Sequence, residues 1–340
     1  MTMLPARDKV RGMFLGVAIG DALGVPVETF DAERIRREFG SVTQFIQNPT
    51  HKWSSLKPAG MWSDDTQLTL AVAESIIETG RLNLESQARW HLRLLDEFGD
   101  LGLGGTTRDA FARLRAGVHP SESGRTDNPK RGMGNALPMK ISPVGAYLAA
   151  ASAGNKHLGG DWRNITALTA MTHNTSIAAQ SAYAHAYAVC HCLLTAPDDL
   201  HRGEFLEAAN FMMDLANQSL PSAGPENLSE RFRDNILGRA SRMTPAEIAT
   251  YFHGGDPFLV YNSLPVAYAC FLRNPNSVQA LYDAVAAGGD TDTNSSIAGS
   301  LVGALNGSGI FPQSLVNGLM HRDRILDTAD RLCTRLGITE

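Results

Sequence analysis

Apolar residues recur along this chain at three- and four-residue intervals, and no window alternates apolar and polar positions as a half-buried strand does. Gly, Pro and Asn mark the breaks between the periodic stretches. The pattern predicts an all-α fold in one domain spanning residues 1–340, without an internal repeat or linker. Helices are predicted at residues 8–24, 64–79, 84–98, about 108–116, 144–153, 161–195, 203–217, about 245–252, from about 263, and at 295–307.

An acidic cluster precedes the last of these helices, in the run Gly-Gly-Asp-Thr-Asp-Thr-Asn at residues 288–294. Asp290 and Asp292 are one residue apart, so their side chains can point the same way in an extended or turn segment. Carboxylate, hydroxyl and amide oxygens are ligands that Mg²⁺ or Mn²⁺ prefers. Taken alone, the cluster is better interpreted as an acidic helix cap, because such caps are common.

A second acidic cluster, Ser63-Asp64-Asp65-Thr66-Gln67, opens another predicted helix. It too could be a simple cap, because Asp64 and Gln67 have a box-like spacing. Adjacent like charges repel, however, and two such clusters suit a shared cation better than two independent caps. Four carboxylates with hydroxyls could hold two ions about 3.5–4 Å apart, the arrangement that activates water. The hypothesis requires that residues 64 and 290 meet in the fold.

Composition excludes several classes of protein. The chain is 43% hydrophobic and 19% charged, with net charge −5 and a pI of about 6.1, so no electrostatic footprint for nucleic acid or an anionic membrane is present. Four cysteines, at positions 190, 192, 270 and 333, make no disulfide framework in a chain of this length. In a helix, Cys190 and Cys192 face apart, which argues against a metal site there. We expect a monomer in the cytoplasm.

The N-terminal apolar run resembles a short signal peptide, because Lys9 and Arg11 precede the apolar residues 13–20. Asp21 ends this run but lies inside a continuing helical pattern, which Pro26 terminates. We therefore predict a buried first helix of the mature protein. No run reaches the roughly 18–20 apolar residues that a membrane span needs.

Glu28 follows that helix and begins a stretch, residues 29–62, that is mostly loop. On residue type alone Glu28 is better interpreted as a solvated loop carboxylate. A long irregular connection in a compact domain is usually functional or mobile, however. A flap that carries Glu28 over a site is the alternative.

Two glycine-containing turns could bring backbone N–H groups close to a ligand. The run Gly99–Thr107 precedes a helix and could face a phosphate, although a tight helix–helix turn explains it equally. The second turn, Gly134-Asn135, is flanked by three basic residues in an otherwise acidic protein: Lys130, Arg131 and Lys140. His173 lies within a predicted helix, where a lone histidine is more often a core residue than a catalytic one.

The order of these motifs resembles the ADP-ribosylglycohydrolase family over roughly residues 8 to 313. The resemblance is carried by Arg11-Gly12, Gly20-Asp21-Ala22-Leu23-Gly24, Glu28, Ser63-Asp64-Asp65-Thr66, Gly134-Asn135, Met139-Lys140, Ser142-Pro143, Thr172-His173 and Gly288-Gly289-Asp290-Thr291-Asp292-Thr293. Each motif is weak alone, but the two acidic clusters in this order are strongly specific. The resemblance implies a compact, multi-helix orthogonal bundle with a binuclear metal cleft.

The resemblance also implies an activity and a set of site residues. Family members use two Mg²⁺ or Mn²⁺ ions to cleave the bond between the distal ribose of ADP-ribose and an acceptor, often arginine. The substrate would be an ADP-ribosylated protein or an ADP-ribose-containing small molecule. Glu28, Asp65 and Asp292 are the implied catalytic residues. The implied metal ligands are Ser63, Asp64, Asp65, Asp290, Asp292 and Thr293. The implied substrate-binding residues are Gly104, Gly105, Thr106, Gly134, Asn135 and His173.

Two departures concern the substrate. Ala136 and Lys140 stand where the family often has glycine and arginine, and lysine does not replace a bidentate arginine. Other ribosylated compounds therefore remain alternative substrates. Two further classes stay open: a two-metal phosphohydrolase, which would release phosphate, and a crystallin-like binding protein, for which loss of an acidic ligand would be typical. All four cluster carboxylates and Glu28 are present.

Overall fold

The structure is a computed structural model that describes residues 6–52, 54–100, 102–128, 131–153, 161–217, 219–222, 228–233, 239–252 and 255–339. Lys130 of the predicted basic cluster and Leu101 of the glycine-rich run lie outside these ranges. The helices are α1 Arg7–Gly24, α2 Ala32–Glu38, α3 Asp64–Thr79, α4 Leu84–Phe98, α5 Gly105–Arg115, α6 Ala136–Lys140, α7 Ser142–Ala153, α8 Asp161–Ala170, α9 Ser176–Leu194, α10 Arg202–Ala216, α11 Leu228–Arg233, α12 Pro245–Phe252, α13 Val260–Arg273, α14 Gln279–Ala286, α15 Thr291–Asn306, α16 Gln313–Gly318 and α17 Arg322–Leu336.

The all-α prediction is confirmed over the described ranges, which contain helices and no strand. Two isolated β-bridges are the β-type pairings in these ranges. One bridge joins Asp31 to Gly288 and the other joins Gly134 to Leu259. Both bridges lie beside predicted site residues, so they tie loops of the site together. The connection between α1 and α3 is mostly irregular, as predicted, but it contains the short helix α2.

Four predicted helix boundaries are wrong. Helices α5 and α15 begin three and four residues earlier than predicted, because their first turns consist of Gly, Thr, Asp and Asn and carry no apolar periodicity. Helix α13 begins at Val260, three residues before its predicted start. The predicted helix 161–195 is two helices, α8 and α9. The Thr175 hydroxyl caps α9 by accepting a hydrogen bond from Ala178 N at 3.3 Å. His173 therefore lies in a break between helices.

The packing of α1 against α15 determines where the site forms. The two helices are antiparallel and meet at glycines, so their backbones touch directly. A Cβ at Gly16 would lie 1.9 Å from Gly299 O, and a Cβ at Gly20 would lie 2.2 Å from Ser295 O. Gly299 and Gly303, four residues apart on α15, permit this close approach. It brings the C-terminal end of α1 to the N-terminal end of α15.

The apolar segment at the N-terminus is longer than the sequence pattern indicated. Residues Arg7–Val27 are long and apolar enough to cross a membrane, with a mean hydropathy of 1.4 over an 18-residue window, but 94% of that window is buried inside the fold. The buried first helix is confirmed. Helix α17, which the pattern did not predict, packs against α1 and α3 and lies beyond residue 313.

Candidate active site

The two acidic clusters meet in one cavity of about 480 Å³. Asp64 and Asp65 occupy the first turn of α3, while Asp290 caps α15 and Asp292 lies in its first turn. All four carboxylates line the cavity together with Glu28. The clusters are in direct contact, because the Thr293 hydroxyl donates to Asp65 Oδ2 at 3.4 Å. The requirement that the two clusters meet is therefore fulfilled.

A fifth aspartate, Asp21, joins the site although the sequence did not single it out as a site residue. It is fully buried at the end of α1, and its carboxylate accepts hydrogen bonds from Ser63 N at 2.8 Å, Thr66 N at 3.0 Å and Thr66 Oγ1 at 2.6 Å. Asp21 thus caps α3 from another helix and fixes the turn that presents Asp64 and Asp65. A carboxylate inside a buried apolar run was the signal that could have revealed it.

Burial raises the pKa values of the site carboxylates. Loss of solvent raises the pKa of Asp64 to about 7, and the charge of Asp21 adds to this effect. The pKa values of Asp65, Asp292 and Glu28 also lie well above their ordinary values, first through burial and then through neighbouring carboxylates. So many acidic groups in one buried place favour a cation, since a cation relieves both the burial and the repulsion.

The donor set fits divalent metal ions. One carboxylate oxygen from each of Asp21, Asp65 and Asp292 lies within 4.8 Å of the others, and the same holds for Glu28, Asp290 and Asp292. Within the described part of the chain, the buried Asp65 Oδ1 has no hydrogen-bond partner. An all-oxygen set suits Mg²⁺ or Mn²⁺ rather than a thiolate-preferring metal. Asp292 belongs to both groups, so these residues could hold two ions.

Asp21, which was not predicted, and the predicted ligand Ser63 differ in how they could contribute to a metal site. Asp21 already accepts three hydrogen bonds, which leaves about one of its four lone-pair positions for a metal. Ser63 reaches the site through its hydroxyl, which lies 3.4 Å from Asp65 Oδ2. We therefore expect Asp21 to act chiefly by fixing α3.

All six predicted substrate-binding residues line the cavity: Gly104, Gly105, Thr106, Gly134, Asn135 and His173. The amide of Asn135, however, is directed at a carboxylate. Its Nδ2 donates to Asp290 Oδ2 at 2.6 Å and to Ser263 Oγ at 2.9 Å. Asn135 therefore orients Asp290, and Ser263, which the sequence did not suggest, supports it.

One wall of the cavity suits an anion. Helix α5 begins there without a side-chain cap at Gly104, so its first N–H groups point outward from a positive helix end. The Arg131 guanidinium lies against Gly105 and donates from Nε to Asp109 Oδ2 at 3.0 Å. The predicted start of α5 was too late, and the earlier start places Gly105 and Thr106 in the helix itself. A phosphate-bearing ligand fits this wall.

Lys140 and His173 are both buried, but His173 belongs to the lining of the cavity and Lys140 does not. Burial lowers the pKa of Lys140 to about 7 and that of His173 to about 3. Lys140 Nζ donates to Thr172 Oγ1 at 3.3 Å, and Thr172 Oγ1 lies 3.0 Å from His173 Nδ1. His173 is thus a neutral imidazole held by Thr172. Of the predicted basic cluster, Arg131 is the residue that lines the cavity among those described.

We predict that Asp64→Asn and Asp292→Asn each abolish the rise in melting temperature that Mg²⁺ causes. Each change removes an anionic oxygen from the converging set, and a ligand stabilises only the state that binds it. Thermal melts with and without Mg²⁺ measure the effect. Asp323→Asn is the matched control, because its side chain is 88% exposed on α17. If both site variants respond to Mg²⁺ as the wild type does, the acidic site does not bind this ion.

We also predict that Mg²⁺ affinity rises between about pH 6 and pH 8, because a cation must displace protons from ligands. The pKa of Asp64 in the metal-free fold is about 7, above its usual range, so this carboxyl holds a proton at the lower pH and loses it at the higher. Calorimetric titrations in buffers of different ionisation enthalpy would give both affinity and proton release. An affinity that is flat across this range would contradict the prediction.

The sequence of this chain is similar to those of several known proteins. An uncharacterized protein of Archaeoglobus fulgidus is 28% identical over 325 residues, which cover 96% of each chain. The ADP-ribosylarginine hydrolase Tri1 of Serratia proteamaculans is 26% identical over 338 residues, which cover 96% of this chain and 79% of that protein.

A solved structure and a family model extend the likeness to the whole fold. The structure, an ADP-ribosylglycohydrolase-related protein complex, superimposes with a TM-score of 0.64 at 24% identity, covering 97% of this chain and 98% of its own. The expected fold is therefore confirmed. The family model described as ADP-ribosylglycohydrolase matches residues 3–339. Since this match spans nearly the whole chain, the protein belongs to the ADP-ribosylglycohydrolase family.

Proposed function

We propose that this protein is a metal-dependent hydrolase that cleaves the N- or O-glycosidic bond between the distal ribose of ADP-ribose and an acceptor such as a protein arginine. The observation that carries the proposal is that one cavity is lined both by the four cluster carboxylates and by the uncapped start of α5. These carboxylates belong to Asp64, Asp65, Asp290 and Asp292. The carboxylates suit hydroxyl groups held through cations, and the uncapped helix start suits phosphates. ADP-ribose carries both kinds of group.

The dimensions and lining of the cavity agree with this ligand. Its volume of about 480 Å³ lies in the range of small-molecule sites. Phe258, 39% exposed, and Met139 supply apolar surface on its lining. The acceptor is proposed from the arginine substrate in the name of the Serratia relative. Mg²⁺ or Mn²⁺ is proposed as the cofactor because every candidate ligand is an oxygen.

The reaction breaks the bond between the anomeric carbon and the acceptor atom, and positive charge develops on the ribose ring. Bound divalent cations would orient the ribose diol and lower the pKa of water at the site. The four cluster carboxylates would hold these cations. Glu28 lines the same cavity and is the residue proposed to take the proton of the attacking water. Asn135 keeps Asp290 in a fixed orientation throughout.

The proposal includes a location in the cytoplasm. Cys190, Cys192, Cys270 and Cys333 are buried, and burial raises the pKa of the Cys190 thiol to about 12. Buried thiols of this kind are unreactive, as suits a reducing cytoplasm.

The proposal is tested by offering the protein ADP-ribosyl-arginine, ADP-ribosyl-serine and simple ribonucleosides in Mg²⁺, in Mn²⁺ and in a chelator. We expect free ADP-ribose and unmodified acceptor, identified by mass spectrometry, with either metal and none in the chelator. Far-UV circular dichroism in the chelator checks that the helices persist. Release of inorganic phosphate with the glycosidic bond intact would instead identify a phosphohydrolase. Cleavage at full rate in the chelator would exclude a metal role.

A further inference from the structure

Glu28 lies in an irregular segment, so something other than a helix must fix its position. On its C-terminal side the backbone pairs with the turn before the second acidic cluster. Thr29 N donates to Gly289 O at 2.7 Å, and Gly289 N donates to Phe30 O at 2.8 Å. Thr29 has a φ of +70°, an uncommon conformation for a β-branched residue and one that persists only where surrounding contacts impose it. These bonds fix the residues after Glu28.

His51 supplies the contact on Glu28 itself. The imidazole is buried, 5% exposed, and lines the cavity. Its Nδ1 accepts a hydrogen bond from Ser54 N at 3.2 Å, so the proton lies on Nε2, which then donates to Glu28 O at 3.0 Å. Burial lowers the pKa of His51, which keeps the ring neutral. Both ring nitrogens are thus engaged, and the ring has one orientation.

The surroundings of His51 hold the ring in place. It packs edge-on against Phe30, with centroids 5.6 Å apart. Asn48 joins the same loop to the segment before Glu28, because its Nδ2 donates to Pro26 O at 2.8 Å. Ser54 Oγ in turn accepts from Asn48 N at 3.0 Å. The loop therefore forms a preorganised support for the backbone on which Glu28 is mounted.

We propose that His51 is a positioning residue that holds Glu28 at the acidic site through the hydrogen bond from Nε2–H to the Glu28 carbonyl. The proposal rests on the proposed role of Glu28 in handling the water. His51 acts on the main chain and leaves the Glu28 carboxylate unobstructed. Loss of this bond leaves the peptide between Glu28 and Thr29 held only through the Thr29 N–H group, so the peptide can tilt and the carboxylate can shift. A displacement of about 1 Å at a reacting group can cost on the order of 100-fold in rate.

Two substitutions of His51 test its two hydrogen bonds separately. In His51→Asn the side-chain oxygen comes near the Nδ1 position and can accept from Ser54 N, but nothing reaches Glu28 O. In His51→Gln the amide nitrogen comes near the Nε2 position and can donate to Glu28 O. We expect His51→Asn to lower kcat by about 10- to 100-fold with KM nearly unchanged. His51→Gln should restore most of kcat. Mg²⁺ titration and thermal melts serve as controls for an intact site and fold.

A double variant distinguishes positioning from general damage. If His51 acts through Glu28, His51→Asn has no further effect on kcat once Glu28 is glutamine, so the two losses are not additive. Additive losses, equal losses in the Asn and Gln variants, or a normal kcat in His51→Asn would each overturn the inference. A normal kcat in Glu28→Gln alone would instead refute the proposed role of Glu28. The two failures are therefore distinguishable.

Discussion

Glu28→Gln lowers kcat by about 10²–10⁴-fold, the usual contribution of a positioned proton acceptor. Glutamine keeps the size and polarity of the side chain but cannot take a proton. Burial and the neighbouring carboxylates hold the pKa of Glu28 well above its ordinary value in the metal-free fold, so this group is a strong proton acceptor when ionised. Steady-state kinetics with an ADP-ribosylated acceptor measure the loss, and ADP-ribose and Mg²⁺ titrations follow binding.

The pattern of these measurements identifies the role of Glu28. Intact Mg²⁺ and ADP-ribose binding beside a collapsed kcat is the expected result. Glu33→Gln is the matched control, because Glu33 is exposed on the neighbouring helix α2. If Glu28→Gln turns over normally, Glu28 is a loop carboxylate without a catalytic role. If Mg²⁺ binding falls together with activity, Glu28 belongs to the metal-ligand set, as its place beside Asp290 and Asp292 would allow.

Gly16→Ala is the second change with a large expected effect. Its methyl group would lie 1.9 Å from Gly299 O, and backbone on both helices prevents an easy shift. We expect the free energy of unfolding to fall by more than about 3 kcal/mol, at the upper end of overpacking effects. The separation of α1 from α15 would also move Asp21 away from Asp292, so Mg²⁺ binding should weaken in the protein that still folds. Chemical denaturation and calorimetry measure the two effects.

Gly203→Ala is the matched control for this change. Gly203 lies in the first turn of α10, and a Cβ there meets nothing within 4 Å. Alanine is the better helix former by roughly 0.5–1 kcal/mol, so stability should stay constant or rise slightly. Equal losses in the two variants would mean that the glycine-mediated helix contact is not the cause.

The sequence predicted those features that depend on residues close together along the chain. Asp64 and Asp290 could be found because carboxylates at the start of apolar helices are visible in the residue pattern. The all-α fold followed from periodicity. The contact between the clusters could not be derived in this way, since it depends on α1 packing against α15 across most of the chain. The resemblance to a known family supplied that connection.

The errors have physical causes as well. His173 was placed inside a helix because no Gly or Pro marks the break before α9, where Thr175 provides the cap. Asp21 was missed as a site residue because its partners are backbone N–H groups of another helix, which no local pattern encodes. Asn135 stays a predicted substrate-binding residue, and its hydrogen bond to Asp290 is a further contact that the sequence did not indicate. Contacts made by side chains across helices decide such details.

The glycine-mediated contact of α1 with α15 also constrains how the protein is made. The hydrogen bond from Thr291 Oγ1 to Gly24 O joins residues 267 positions apart. At about 5–20 residues per second, a ribosome needs on the order of ten to fifty seconds to produce the chain between them. Throughout that time α1, an apolar helix notched by glycines, has emerged without its main partner. The newly made chain therefore exposes an apolar segment until synthesis is almost finished, and transiently exposed surface of this kind is prone to aggregation.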